Sequence, residues 1–356
     1  MSSPPNRASP ASLRAKLLAW YDEVRRDLPW RKTRDPYAVW LSETMLQQTR
    51  VETVIPYFNR FLHELPTVSA LARAPEEQVL ALWSGLGYYR RARMLHAAAQ
   101  DVARRHGGTL PSELSELRSL AGVGAYTAGA VASIAFGRRA AVVDGNVSRA
   151  LARIYAVEED VKTARGRARL WQLADRLLPD GDVDPGDWNQ ALMELGATVC
   201  LPRAPQCHAC PVCGECAAKE KGLVDAIPRS SPKPRPRELL CVAVVLASSR
   251  AVVLARRRPS QLFGGLWEPP TSSVGVEAMS ARLGIAADEL RPMGQVTHVL
   301  THRRMLVEVF RGAIGRRRRF SLPGPEYDAI ETVDVTRVGD RGQAALARRI
   351  LEVAKV

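Results

Sequence analysis

The chain has 356 residues, 46% of them apolar, with a formal net charge of +14. That length exceeds one ordinary core and predicts two domains, while the charge favours a polyanionic partner over an acidic or neutral one. No apolar run reaches the ~20 residues that a membrane-spanning helix needs, and the first residues carry no apolar stretch of a secretory leader. The expectation is a soluble, internal protein with no membrane contact, with residues 1–11 a disordered tail.

From Ser12 to Ala218 the apolar pattern is helical. Leu13, Leu17, Trp20 and Val24 recur at three- and four-residue steps and predict one buried stripe. Val39 to Leu46 reads as a helix that places Glu43 on a face with Val39, Trp40 and Leu46. Pro75-Glu76-Glu77 signals a helix start and Gly85 its end. Tyr88 to Arg105 predicts a long basic helix, stopped by Gly107-Gly108. Between two helical segments, Leu120 to Thr127 carries Gly122 and Gly124. Amides exposed by such a turn at a helix start can bind an anion, although an ordinary helix–helix turn has the same composition. Asp144 follows the apolar Ala141-Val142-Val143 and precedes a helix, where capping is its default role and the helix end would keep it ionised.

Five of the six cysteines fall between 200 and 216. A long internal chain keeps thiols reduced, which argues against a disulfide framework. A zinc ribbon generally shows two C-x2-C pairs separated by an insert, and no such insert is present, so the spacing favours a [4Fe-4S] cluster. Two sets satisfy it: Cys200, Cys207, Cys210 and Cys216, or the C-x2-C-x2-C-x2-C run from Cys207 through Cys213 to Cys216. Beyond them, Pro228 to Arg237 is proline-rich and basic, suited to an extended linker. The pattern then changes to short apolar runs: Leu239–Leu246, a turn at Ser248–Arg250, Val252–Ala255, Gln295–Leu300 and Met305–Phe310, with a helix near Gln343–Val353. Cys241 is expected to be buried in a strand. Residues 12–218 are thus read as a mainly α domain, 219–237 as a linker and 238–356 as a smaller α+β domain. The run Arg316–Arg319 is read as a solvated turn.

A carboxylic acid on an apolar face loses solvation, which favours its protonated form and suits a general acid near neutral pH. For Glu43 the competing possibility is a side chain that reaches solvent or pairs with Arg50.

The glycine hairpin, the aspartate of Val143-Asp144-Gly145-Asn146-Val147 and the cysteine loop together resemble the endonuclease III superfamily of helix–hairpin–helix DNA glycosylases. Leu28-Pro29-Trp30-Arg31, Trp40 to Thr49, and Gly85-Leu86-Gly87-Tyr88-Tyr89 are more specifically similar to the MutY-type adenine glycosylases, and the likeness runs nearly the whole chain, through a Nudix-like second domain. The resemblance implies base excision from duplex DNA, with adenine opposite 8-oxoguanine or guanine as substrate. It further implies a monomer in the cytoplasm, nucleoid-associated in a bacterium. Base flipping would expose the adenine.

The same likeness assigns the residues. Glu43 becomes proton donor to adenine N7; Asp144 stabilises the sugar cation, with Asn146 beside it. Arg26, Trp30, Arg31, Leu46 and Gln190 line the adenine pocket, and Gln48, Thr49, Leu86 and Tyr88 plug or wedge the duplex. Gly122 and Gly124 meet phosphate, and Cys200, Cys207, Cys210 and Cys216 are selected as cluster ligands. In lyase relatives the position of Tyr126 is a lysine that forms a Schiff base, so a phenol there implies a monofunctional enzyme. Two departures stand out: Leu300-Thr301-His302 replaces a Phe-Ser-His signature that reads the 8-oxoguanine, with Thr301 and His302 in the matching places, and Ala121 replaces a hairpin proline. No Nudix hydrolase motif is present. A pyrimidine-damage glycosylase with lyase activity and a non-catalytic DNA-binding iron–sulfur protein are the rival readings.

Overall fold

The computed structural model describes residues 9–181, 183–231, 236–315 and 320–356. The run Arg316–Arg319, part of the predicted linker and most of the predicted tail lie outside the described residues. The chain divides into two compact units: Met1–Leu62 with Thr67–Ser69 and Ala97–Pro232, and His63–Pro66 with Ala70–His96 and Lys233–Val356. Among the described residues, no helix is long and apolar enough to cross a membrane.

The first unit is helical. Its opening helix, Pro10–Val24, buries Leu13, Leu17 and Tyr21. This corrects the expected stripe: Val24, the last helical residue, is 46% exposed. Two neighbouring stripes are both compatible with helical period, and packing decides which one is covered. The helix Pro36–Met45 starts where Asp35 accepts from the amides of Tyr37 at 3.3 Å and Ala38 at 3.1 Å. Every residue from Tyr37 to Met45 is buried, so the helix is enclosed on all sides and not only along one stripe. Ser42 and Thr44 tolerate this because their hydroxyls donate to the carbonyls of Val39 and Trp40, each at 2.8 Å. Glu43 has no such local partner and must find one elsewhere.

Helices Leu114–Ser119 and Ala125–Ala130 are joined by the glycine turn, with Gly122 at φ +75 and Val123 donating to the Leu120 carbonyl at 3.1 Å. A positive φ is open to glycine at no steric cost. The second helix continues as a wider turn over Val131–Ala135. Helix Gly145–Ile154 then packs on helix Pro185–Thr198. Gly196 makes that approach possible, since a Cβ there would stand 2.6 Å from the Asn146 Cβ.

Among the described residues, the second unit contains a seven-stranded sheet: β1 Arg237–Ala247, β2 Ala251–Arg257, β3 Trp267–Glu268, β4 Thr271–Ser272, β5 Arg291–Val299, β6 Arg303–Ala313 and β7 Tyr327–Asp334. Strands run in the order β3-β2-β1-β6-β5, with β4 on β1 and β7 on β2. The central pair β1–β6 is parallel, with Cys241 opposite Val307. Cys241, Ala243 and Val245 face one apolar cluster with Leu346 and Ile350, while Val242, Val244 and Leu246 face another with Met279 and Leu283. Burial on both faces explains why β1 reads as a continuous apolar run without alternation. Helices Ala345–Val353 and Val276–Leu283 supply those two covers. The segment Ala70–His96 belongs to this unit: Trp267 Nε1 donates to Glu77 Oε1 at 3.0 Å, and Tyr89 Oη to the Gln343 carbonyl at 2.7 Å.

Candidate active site and cysteine loop

Glu43 is 5% exposed at the end of its enclosed helix, and the Tyr126 hydroxyl donates to its Oε2. The same hydroxyl lies 3.5 Å from Met193 Sδ. Burial pushes the Glu43 carboxyl from 4.5 up to about 7; the Tyr126 hydrogen bond opposes the rise, the Asp144 charge adds to it, and Arg31 lowers it. Burial likewise lifts Tyr126 well above its ordinary value, so it remains a neutral donor. Neither outcome expected from a solvated glutamate, exposure or pairing with Arg50, is found.

Asp144 caps helix Gly145–Ile154, accepting from the Val147 amide at 2.7 Å and from Asn146 Nδ2 at 3.1 Å. The capping role is as expected, but the predicted pull towards ionisation is outweighed: burial raises the Asp144 pKa despite the amide, Asn146 and Arg149. From Asn146 the contacts continue inward. Arg149 Nη2 donates to Asn146 Oδ1 at 2.8 Å and to the Gly196 carbonyl at 2.6 Å, and its Nε to the Cys200 carbonyl at 2.7 Å. One guanidinium therefore joins the aspartate's neighbour to the cysteine loop.

A second carboxylate, absent from the sequence-based set, organises the other side. Glu194 is fully buried, and burial alone would raise it, yet Arg26 and Arg31 hold its pKa down to about 2. Arg26 grips both oxygens at 2.7 and 2.8 Å, and Arg31 Nη2 takes Oε2 at 2.7 Å. The fork fixes the Arg26 guanidinium plane, and Arg31 is held by its bond to Glu194 and by Nη1 donating to the Arg26 carbonyl at 3.2 Å. Of the predicted pocket residues, Trp30 is 6% exposed and meets the Phe58 ring edge-on at 5.4 Å. Leu46 ends the Glu43 helix, and Gln190 Nε2 lies 3.5 Å from Asp187 Oδ1. The signal that singled out Glu43, an acid within an apolar helical run, is equally present at Ala191-Leu192-Met193-Glu194-Leu195 and would have found Glu194.

Among the predicted duplex-contacting residues, Gln48 has φ +61 and Thr49 donates its amide to the Leu46 carbonyl at 3.3 Å. In the second unit Leu86 is buried, whereas Tyr88 is 49% exposed at φ +49 and its hydroxyl lies 3.2 Å from Thr301 Oγ1. His302 is exposed, and its carbonyl accepts from the Arg237 amide at 3.0 Å. Gly124 is the extended residue before helix Ala125–Ala130, with Gly122 in the turn ahead of it.

Cys200, Cys207, Cys210, Cys213 and Cys216 line one cavity and are all free thiols. Among the described residues, no three His, Cys, Asp or Glu side chains converge so as to hold a single metal ion. The fully buried Arg153 braces the cavity: its Nη1 meets the Leu201 carbonyl at 2.7 Å and Cys200 Sγ at 3.4 Å, and its Nε the Ile227 carbonyl at 2.8 Å. Burial pushes the Cys210 thiol up to about 12, so a thiolate at Cys210 needs a positive centre beside it. A set of half-buried thiols around one cavity fits an iron–sulfur group. Arg203 is exposed in the loop between Cys200 and Cys207.

Residues 41–176 match the HhH-GPD superfamily base excision DNA repair protein, and residues 241–353 match the NUDIX domain. A thermostable thymine-DNA glycosylase superposes with a TM-score of 0.54 at 31% identity, covering 60% of this chain and 97% of its own. A trapped endonuclease III–DNA covalent intermediate gives 0.50 at 21% identity over 60% of this chain and 99% of its own, a likeness of fold. Human adenine DNA glycosylase is 37% identical over 369 residues, spanning 85% of this chain and 67% of the human one. The rat enzyme is 36% identical over 385 residues, spanning 90% and 74%. With both domains matched and relatives covered over two thirds or more of their length, the chain belongs to the adenine DNA glycosylases, base excision enzymes that hydrolyse N-glycosyl bonds.

Proposed function

We propose that this enzyme removes adenine paired with 8-oxoguanine, or with guanine, from duplex DNA, acting as a monomer and leaving an intact abasic site. The observation that carries the proposal is Glu43, a buried acid whose pKa near 7 keeps about half of it protonated at neutral pH, with a phenol on it and Asp144 in the same site. A flipped adenine would take the Glu43 proton on N7. The bond from sugar C1′ to N9 then breaks with its electrons going to the purine, which the added proton has made a better leaving group. Asp144, held by Val147 and Asn146, faces the cation that develops on the sugar. Water adds at C1′ and its proton returns to the Glu43 carboxylate, completing hydrolysis and restoring the acid. Glu194 holds Arg26 and Arg31 in place as donors beside the purine.

Tyr126 has no amine to attack C1′, which supports simple hydrolysis over lyase chemistry. Thr301 and His302 would contact the opposite base, with Tyr88 as the wedge. Cys200, Cys207, Cys210 and Cys216 would hold a [4Fe-4S] cluster. When bound, it supplies a cross-link for the loop that presents Arg203 to phosphate.

The test is a duplex containing adenine opposite 8-oxoguanine, with free adenine and alkali-labile sites measured under single turnover. Base release without borohydride-trappable enzyme–DNA adducts is the expected result. No release refutes the substrate, and an efficient trapped adduct refutes the monofunctional chemistry.

A further inference from the structure

The cysteine loop holds one thiol more than the assigned ligand set. From Cys207 to Cys216 the chain winds through three successive turns, each closed by an amide donating to the carbonyl three residues back: Cys210 to Cys207 at 3.3 Å, Cys213 to Cys210 at 3.2 Å and Cys216 to Cys213 at 3.3 Å. Two of these turns are 3-10 helical, Cys207–Ala209 and Cys213–Glu215. Cys210 and Cys216, which follow these two turns, are extended. Cys213 lines the same cavity as the other four cysteines. Cys200 reaches that cavity from a different element, the end of helix Pro185–Thr198, where Arg153 and Arg149 fix it.

We propose that Cys213 is a reserve ligand that takes the place of Cys200 when Cys200 is lost from the iron–sulfur site. The inference rests on the cluster assignment made above. The exchange needs no oxidant: the Cys213 thiol gives its proton to water as its sulfur binds iron, and the sulfur that leaves is protonated. The remaining ligands, Cys207, Cys210 and Cys216, are common to both sets, and Cys213 lines the same cavity beside them.

The experiment compares native protein, Cys200→Ala, Cys213→Ala and the double variant for iron and acid-labile sulfide, with alkylation mapped cysteine by cysteine. Native protein should hold the cluster with Cys213 open to alkylation. Cys200→Ala should retain more than about half of the native iron with Cys213 now protected, and the double variant should fall about tenfold. Iron in soluble Cys200→Ala at the double variant's level, or Cys213 still reactive there, overturns the proposal. If Cys200→Ala does not fold, chelator-driven iron loss decides: it should be several-fold faster in Cys213→Ala than in native protein, and equal rates overturn the idea. Native protein without iron or sulfide would instead defeat the cluster assignment itself, and the reserve ligand with it.

Discussion

Replacing Glu43 with glutamine keeps the side chain's volume and its acceptor for the Tyr126 hydroxyl but removes the transferable proton. Loss of a general acid costs about a hundredfold to ten-thousandfold in rate. The same substitution should stabilise the fold. With the carboxyl moved from 4.5 to about 7, ionising Glu43 in the native state costs about 3 kcal/mol more than in the unfolded chain. For an acid whose folded pKa is raised, stability is greatest below the unfolded value and is lost as pH climbs through the folded one. The native enzyme should therefore weaken between pH 4.5 and about 7, and Glu43→Gln should not. The assay pairs single-turnover adenine release with denaturant melts at pH 5 and pH 8. The variant should be nearly inactive at both and more stable than native by about 2–3 kcal/mol at pH 8, with little difference at pH 5. Native excision should itself fall about tenfold per pH unit above 7. Undiminished base release in the variant, or a stability gap that is the same at both pH values, refutes the reasoning.

Tyr126→Phe removes the hydrogen bond that lowers the Glu43 pKa, so the alkaline limb of the pH–rate profile should move to higher pH while the maximum rate drops; an unmoved limb means the phenol does not tune the acid. Glu194→Gln leaves Arg26 and Arg31 without their buried counter-charge, and breaking such a pair costs about 3–5 kcal/mol, measurable by denaturant unfolding at pH 7. Because the Glu194 pKa is depressed, its contribution is present above 4.5 and fades as pH falls towards about 2, so the gap between variant and native should narrow in acid.

Local signals carried much of the fold. The expected strand Leu239–Leu246 is found as Arg237–Ala247, Gln295–Leu300 as Arg291–Val299, and the closing helix as Ala345–Val353, because continuous apolar runs and helical period are properties of short windows. The basic helix expected from Tyr88 starts at Arg90, since Tyr88 sits at positive φ. Tyr327–Asp334 escaped notice: half its residues are charged or exposed, and its pairing with β2 alone makes it a strand. The two-residue strands β3 and β4 have no period to read.

The residues themselves were sufficient to mark the hairpin, the thiol spacing and an acid inside an apolar helix; the meaning of the phenol at Tyr126 came from the family resemblance. They could not say that Tyr126 reaches Glu43 across 83 positions, or that Glu194 gathers two arginines from 163 and 168 positions away. Those partnerships, the desolvation that lifts Glu43 to about 7 and the arginines that hold Glu194 down to about 2 against its own burial all depend on which helices enclose which side chains. Burial and long-range hydrogen bonds are created by packing, and only the folded chain fixes them.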